Sequence, residues 1–196
     1  MGFLIILTFS RVVRIVCYAE EIFNYDRGQS KMKTLYIIRR AKSSWKDETL
    51  SDFERPLNSR GFRDAPFMGK RLAEYDSNPD VILSSPAKRA IETAKIIADE
   101  VGYNKDQIQM DEALYLASVS TLLEAIRGIS DENETAYIFG HNPGMTMLVN
   151  LLTNYVIDNL PTCGIACVIF EADSWRDVGE NRGSLRSYDY PRRHLS

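Results

Sequence analysis

Two arginines and a histidine in this sequence have the chemistry needed to bind a phosphate group. Arg39 ends the apolar segment TLYIIR, Arg89 lies in SSPAKRA, and His141 lies in GHNPGM. A guanidinium keeps its charge at physiological pH and offers paired N–H donors to an oxyanion. An imidazole can donate a further hydrogen bond to a phosphoryl oxygen. The alternatives are surface ion pairs for the arginines and a structural role for the histidine, so the prediction of an anion site depends on whether the fold brings all three together.

Each of the three motifs follows a segment typical of a β-strand. We predict strands at TLYIIR, PDVILSS, TAYIFGH and CGIACVIFEA, because each is short, apolar and ended by polar or turn residues. Helical patterns between them run roughly over 60–74, 87–101, 119–129 and 145–153. This alternation predicts an α/β fold with a mostly parallel sheet covered by helices on both faces. Ligands bind beyond the carboxyl ends of strands in such sheets, which is where the three motifs are expected.

The composition limits the classes of partner. The chain has 196 residues, of which 44% are hydrophobic, enough for one domain with a full core. A net charge of -3 gives no general reason to bind nucleic acid or an anionic membrane, so any anion site must be local. The three cysteines, Cys17, Cys163 and Cys167, are an odd number, which favours reduced thiols in a cytoplasm. We expect Cys163 and Cys167 to be small core residues, with no metal, because other ligands with zinc-type spacing are missing.

The first 31 residues differ from the rest of the chain. GFLIILTF is apolar, but Arg11 and Arg14 come soon after it, and the run is shorter than the roughly 18 residues of a membrane span. A secretory signal is not indicated, because no basic residue precedes the apolar run and no clean cleavage site comes after it. We therefore treat residues 1–31 as an N-terminal appendage, either outside the native protein or poorly ordered, and residues 32–196 as a self-contained domain that begins at Met32.

Five motifs in this order resemble the histidine phosphatase superfamily, also called phosphoglycerate mutase-like, and within it the phosphohistidine phosphatases of the SixA type. The motifs are LYIIRRAKSSW, DFERPLNSRG, DVILSSPAKRAIETA, DEALY and YIFGHNPGM. The resemblance covers most of residues 32–191. It implies a mixed, mostly parallel sheet with flanking helices, and phosphoryl transfer through a phosphohistidine on the enzyme without a metal or other cofactor.

The resemblance also implies roles for single residues. Arg39 and Arg89 match the two phosphate-binding arginines, and His141 matches a second histidine that stabilises charge on the transferring phosphoryl group. Ser43 matches a position that often contacts phosphate or substrate. Glu112 lies where many relatives keep a general acid, although the SixA-like members vary there.

Arg55 and three lysines near these motifs can each be explained either by the site or by ordinary surface interactions. Arg55 in ERPL matches a position typical of the SixA subgroup, and an ion pair with Asp52 or Glu54 explains it equally well. The lysines that flank the motifs either widen the positive field or are ordinary solvated residues; they are Lys42, Lys46 and Lys88.

Arg40 departs from the family pattern at the position that carries the nucleophilic histidine. That histidine attacks phosphorus with a neutral nitrogen and holds the phosphoryl group covalently. A guanidinium has no free lone pair at neutral pH, so the covalent step should fail, at a cost on the order of 10^3-fold or more. Phosphate binding need not fail, since Arg40 adds a cation to the site. We expect no rescue by His141, which the resemblance places beside the phosphoryl group, or by His194 in the C-terminal tail.

Two functions are consistent with these residues. The first is a SixA-like phosphatase acting on phosphohistidine or small phosphomonoesters, with activity impaired or abolished by Arg40. The alternative is a pseudophosphatase that binds a phosphorylated protein or metabolite without chemistry. A third possibility, an α/β interaction protein without a phosphate site, requires the motif set to be coincidental. A short SixA-like chain has little inserted material around its site, which favours an open site that reaches a phosphohistidine on a protein surface; the sequence does not indicate an oligomeric state.

Overall fold

The computed structural model describes residues 31–75 and 78–194. The predicted appendage, residues 1–31, falls outside this description except for Lys31, and its separation from the domain stays a prediction. Within the described residues, no helix combines the length and apolar composition needed to cross a bilayer.

A six-stranded mixed sheet forms the centre of the domain. Its strands are β1 (Met32–Arg39), β2 (Val81–Ser84), β3 (Gln109–Met110), β4 (Thr135–Gly140), β5 (Ile165–Glu171) and β6 (Ser184–Asp189). The spatial order is β3-β2-β4-β1-β5-β6. The first four strands in that order are parallel, whereas β5 is antiparallel to β1 and β6 is antiparallel to β5. The predicted α/β fold with a mixed, mostly parallel sheet is therefore confirmed.

Alternation along the buried strands places apolar side chains on both faces of the sheet. In β1, Leu35 and Ile37 pack into one core, and Ile38 packs into the other. Successive side chains of a strand point to opposite faces, so a strand buried on both faces is apolar throughout. This explains why the central strands could be predicted from short apolar runs.

Two pairs of helices cover the two faces. The helices are α1 (Ser59–Glu74), α2 (Lys88–Glu100), α3 (Val119–Arg127) and α4 (Gly144–Leu152). Helices α1 and α2 share a core with Ile38, while α3 and α4 share the other core with Leu35 and Ile37. The Asn58 side chain accepts a hydrogen bond from the Gly61 N–H and thereby caps α1, a favourable N-terminal contact.

The sequence did not reveal two strands and misplaced the start of a third. β3 has two exposed residues and β6 is largely polar, so neither shows a clear apolar pattern. β5 begins at Ile165, two residues after the predicted start, because Cys163 has a positive φ of 58° and precedes the strand. Both Cys163 and Cys167 are buried free thiols.

Candidate functional site

The three predicted motifs lie at the carboxyl ends of the neighbouring parallel strands β2, β4 and β1. In the parallel ladders, Arg39 is in register with Gly140 at the ends of β1 and β4, and Ser84 is in register with Phe139. The backbone continues this pairing beyond the strands, because the Arg40 N–H donates to the Gly140 carbonyl at 3.1 Å. The sheet therefore brings residues 39–40, 84–85 and 140–141 to neighbouring strand ends.

His141 is a buried, neutral imidazole. Its residue is 5% exposed, and Nε2 lies 2.9 Å from the Ser85 Oγ in a hydrogen bond whose direction depends on the tautomer. Burial, followed by the charges of Arg89 and Arg40, lowers the pKa of His141 to about 3. Nδ1 is buried and has no hydrogen-bond partner among the described residues. His141 thus has an unused polar atom close to positively charged groups.

Arg39 and Arg89 are both anchored by part of their guanidinium groups. Nη1 of Arg39 donates to the Leu160 carbonyl at 2.7 Å and to Asn159 Oδ1 at 3.2 Å. Arg89 is 2% exposed, and its Nη2 lies 2.7 Å from Asp52 Oδ2, while Nη1 donates to the Asp52 backbone carbonyl. The Nε atoms of both arginines are buried without a partner in the described part of the chain. Buried donors without partners are rare in folded proteins, so these two N–H groups can still donate to an acceptor.

Arg40 belongs to the same group of cations. Its Nη1 donates to the Ala41 carbonyl at 3.1 Å and to Ser43 Oγ at 3.4 Å. Burial lowers the pKa of Arg40 to about 10, and the charges of Arg89, Arg39 and Arg55 act in the same direction. Arg40 is nevertheless protonated at pH 7, so it contributes positive charge and no nucleophilic nitrogen.

Arg55 connects Ser43 with Asp52. Its Nη2 donates to Ser43 Oγ at 2.8 Å, and its Nη1 pairs with Asp52 Oδ1 at 2.8 Å. Of the two acidic residues that the sequence offers as partners, Asp52 is the one that pairs with Arg55, whereas Glu54 accepts a hydrogen bond from Ser51. The ion pair and the contact with a predicted substrate-binding residue therefore occur together.

Asp52 is a site residue that the sequence indicated only as a partner for Arg55. Its carboxylate receives hydrogen bonds from Arg55, Arg89 and the Tyr115 hydroxyl, the last at 2.8 Å. Burial raises the pKa of Asp52, but the hydrogen bonds from Tyr115, Arg89 and Arg55 outweigh it and hold that pKa below its usual value. Asp52 and Tyr115 are 63 positions apart in the sequence, so no local motif could have indicated their hydrogen bond.

The cluster has more positive than negative charge. It contains the guanidiniums of four arginines, Arg39, Arg40, Arg55 and Arg89. Of the carboxylates that the structure describes, Asp52 is the one that pairs with this cluster, and it pairs with Arg55 and Arg89. Such a local excess on a chain of net charge -3 favours binding of an anion.

Glu112 is exposed on the protein surface and is not a member of the ion pairs that Asp52 forms with Arg55 and Arg89. It is exposed in the short 3-10 helix Glu112–Leu114, which begins after Asp111. Its role as general acid stays a prediction, and Asp52 is the carboxylate that pairs with the arginines.

One cavity of the domain lies away from the clustered arginines. Within residues 31–75 and 78–194, no three His, Cys, Asp or Glu side chains are grouped so as to hold a metal ion. A cavity of about 860 Å³ lies on the α1 side of the sheet, between Tyr36, Arg71 and Tyr188, and none of the clustered arginines lines it. The candidate anion site is therefore separate from this cavity.

Comparisons with known proteins agree with the fold and the motifs. A sequence model of the histidine phosphatase superfamily (branch 1) matches residues 35–115. An uncharacterized protein of Mycobacterium tuberculosis is 30% identical over 165 residues, which cover 79% of this chain and 100% of that protein. The structure of a SixA-type protein from Agrobacterium tumefaciens is 26% identical, with a TM-score of 0.69 over 81% of this chain and 98% of that chain. Phosphoglycerate mutase from Bacillus anthracis is 15% identical, with a TM-score of 0.60 over 81% of this chain and 93% of that chain.

Proposed function

The chain belongs to the histidine phosphatase superfamily, with a SixA-type fold, and on this premise we propose that Arg39, Arg89 and His141 bind the phosphoryl group of a phosphohistidine or small phosphomonoester. Its relatives support a function of the phosphatase type. In this chain, Arg40 takes the place of the nucleophile, so we propose a phosphatase whose covalent step is impaired or abolished.

The excess of positive charge in the arginine cluster carries this proposal. Of the four guanidiniums, those of Arg55 and Arg89 pair with Asp52, and the Nε atoms of Arg39 and Arg89 have no partner among the described residues. A phosphoryl group supplies three acceptor oxygens and negative charge, which match these donors. Ser43, whose Oγ accepts from Arg55 and Arg40, is in a position to contact the same group.

The chemistry expected of a phosphohistidine intermediate lacks one component here. A neutral histidine nitrogen would donate its lone pair to phosphorus while the bond from phosphorus to the leaving atom breaks, and water would later release phosphate. Arg40 remains protonated, with a pKa of about 10, and has no lone pair to donate. Charge stabilisation by the remaining residues would support only slow turnover.

A binding protein without turnover is the second candidate, and Arg40 is the observation that favours it. The arginine adds a fourth guanidinium to the cluster instead of a nucleophile, so the site gains attraction for a phosphorylated protein or metabolite. We also propose the cytoplasm as the compartment, because the odd number of cysteines in the sequence favours reduced thiols.

Phosphate release tests the enzyme proposal. We would compare the native chain with Arg40→His, using a phosphohistidine protein and a generic phosphomonoester as substrates. Lys70→His is the matched control, because it adds a histidine at an exposed position of α1. We expect turnover to rise on the order of 10^3-fold in Arg40→His only. Equal turnover by the native chain would refute the role assigned to Arg40.

Protection against thermal unfolding tests the anion site itself. A ligand that binds the folded state raises its stability, so orthophosphate at millimolar concentration should raise the Tm of the native chain. Arg89→Gln should remove this protection, whereas Arg71→Gln, which breaks an ion pair with Asp189 elsewhere, should retain it. Absence of protection in the native chain would argue against an anion site of any kind.

A further inference from the structure

Trp45 is a large aromatic side chain that the fold leaves in solvent. The residue is 71% exposed, although it comes directly after Ser43 and Ser44 in the chain. Its indole is held in place by Arg55, whose guanidinium carbon lies 3.1 Å from the ring centroid. Stacking of a guanidinium on an indole is favourable and orients both groups. One face of the ring is therefore occupied by Arg55, and the exposed surface of the indole remains available for a ligand.

Arg55 places this indole next to the candidate anion site. Nη2 of Arg55 and Nη1 of Arg40 both donate to Ser43 Oγ, at 2.8 and 3.4 Å respectively. Arg55 itself is 4% exposed, with its Nε bound to the Ser44 carbonyl, so the platform beneath the indole is fixed. Trp45 is thus separated from Arg40 by only two side chains, Arg55 and Ser43.

A second aromatic group adjoins the cluster at His141. The ring of Tyr115 packs edge-on against His141 at 5.7 Å and against Phe53 at 5.1 Å, while its hydroxyl donates to Asp52. The anion site is therefore bordered by aromatic rings as well as by cations. Such surroundings favour a planar group attached to the anion, because aromatic rings gain from stacked or edge-on contacts.

We propose that Trp45 is a specificity-determining residue that selects phosphoryl groups carried on a planar ring, such as an imidazole or a phenol, over those carried on an aliphatic alcohol. This inference rests on the proposed function, since it assigns the leaving-group class to the same site. The indole stacks on the ring of the leaving group, while the arginines hold the phosphoryl oxygens. The expected preference is about five-fold in affinity.

The test uses three anions that differ in the substituent on phosphorus, which is a hydroxyl, a methyl or a phenyl group. Orthophosphate, methylphosphonate and phenylphosphonate are titrated calorimetrically into the native chain, Trp45→Leu and Trp45→Phe. We expect phenylphosphonate to bind the native chain about five-fold more tightly than methylphosphonate does. Trp45→Leu should lose this ratio while orthophosphate affinity changes by less than about two-fold, and Trp45→Phe should retain most of the ratio.

The possible results distinguish the specificity role of Trp45 from the existence of the anion site. If Trp45→Leu weakens all three ligands equally, Trp45 acts only through Arg55 and the specificity role is overturned. If orthophosphate binds and the ratio is the same in the native chain and Trp45→Leu, the inference fails while the anion site stands. If orthophosphate does not bind the native chain, both are wrong.

Fluorescence gives an independent measurement of the same contact. Trp175, the other tryptophan, is fully buried, so Trp45 supplies the solvent-exposed indole. We expect phenylphosphonate to change the emission of the native chain and to leave that of Trp45→Leu unchanged. An equal change in both proteins would assign the signal to Trp175 and contradict a contact with Trp45.

Discussion

Arg40 is the residue at which, in our proposal, phosphate binding and chemistry become separate. The substitution could be recognised from the sequence, because the motif LYIIRRAKSSW has arginine where the family has its nucleophilic histidine. Its surroundings could not be recognised in the same way. Arg40 shares Ser43 with Arg55. Its charge also adds to burial and to the charge of Arg89 in lowering the pKa of His141, an effect that depends on segments about 100 residues apart coming together.

His141 gives a prediction about pH and stability. Its pKa is about 3 in the folded chain and about 6.5 when unfolded. As the pH falls below 6.5, the imidazole takes up a proton in the unfolded state but stays neutral in the folded state. The free energy of unfolding therefore decreases between about pH 6.5 and 3, by up to roughly 1.4 kcal/mol per pH unit. His141→Asn lacks this titrating group, so urea unfolding of the ligand-free proteins should show a shallower loss of stability with acid in the variant. Parallel pH profiles between pH 7 and 4.5 would contradict a buried neutral imidazole.

Asp52 gives a prediction about affinity. Its carboxylate pairs with Arg89 and Arg55 and opposes a bound anion by its own charge. Asp52→Asn keeps a hydrogen-bond acceptor and removes the charge, so we expect orthophosphate to bind roughly five-fold more tightly by calorimetry. Asp47→Asn removes an exposed carboxylate from the same loop and should change the affinity little. Unchanged or weaker binding in Asp52→Asn would show that the negative charge is not a competitor.

At the level of elements, hydrophobic periodicity predicted the strands and helices that are buried, but it did not reveal the strands with mostly polar or exposed residues. The strands β1, β2 and β4 and the helices α1 to α4 of the described residues were predicted within a few residues of their observed bounds, because their side chains alternate or repeat against a core. β6 was missed because SLRSYD, at the edge of the sheet, is only partly buried. The order of β2, β4 and β1 placed the predicted motifs together, whereas the contact between Asp52 and α2 depends on how a loop folds back.

The start of α4 gives a prediction about packing. An added Cβ at Gly144 would lie 2.5 Å from the Ala117 carbonyl oxygen and 3.2 Å from Leu122 Cδ1. A backbone oxygen cannot move away as a side chain can, so Gly144→Ala should cost about 1–3 kcal/mol of unfolding free energy. The same shift would disturb the turn in which the Met145 N–H donates to the His141 carbonyl.

Chemical denaturation and anion binding check this prediction together. Gly128→Ala is the control, because an added Cβ there meets its nearest neighbour, the Ala125 carbonyl oxygen, at 3.4 Å. We expect Gly144→Ala alone to lose both stability and orthophosphate affinity. Equal stability of the two variants would mean that the approach of α4 to residue 117 is not constrained.

On the scale of the whole molecule, the chain is acidic, but its fold brings four arginines together near the carboxyl ends of the central strands. The net charge is -3, yet Arg39, Arg40, Arg55 and Arg89 converge where parallel strands end. Composition alone indicated no anion partner, and only the topology shows how a local site arises. The same topology, shared with a SixA-type structure, brings Arg39 and His141 to neighbouring strand ends.

Trapping of the phosphoryl group on the enzyme, together with protection by orthophosphate, tests most directly whether the chain keeps its anion site but lacks the nucleophile. The native chain and Arg40→His would each be incubated with a radiolabelled phosphohistidine protein and quenched in alkali, which preserves phosphohistidine. We predict that orthophosphate protects both proteins against thermal unfolding, and that only Arg40→His acquires label that acid then removes. Equal labelling of the native chain would contradict the assignment of Arg40, because a nucleophile would then be present elsewhere in the site.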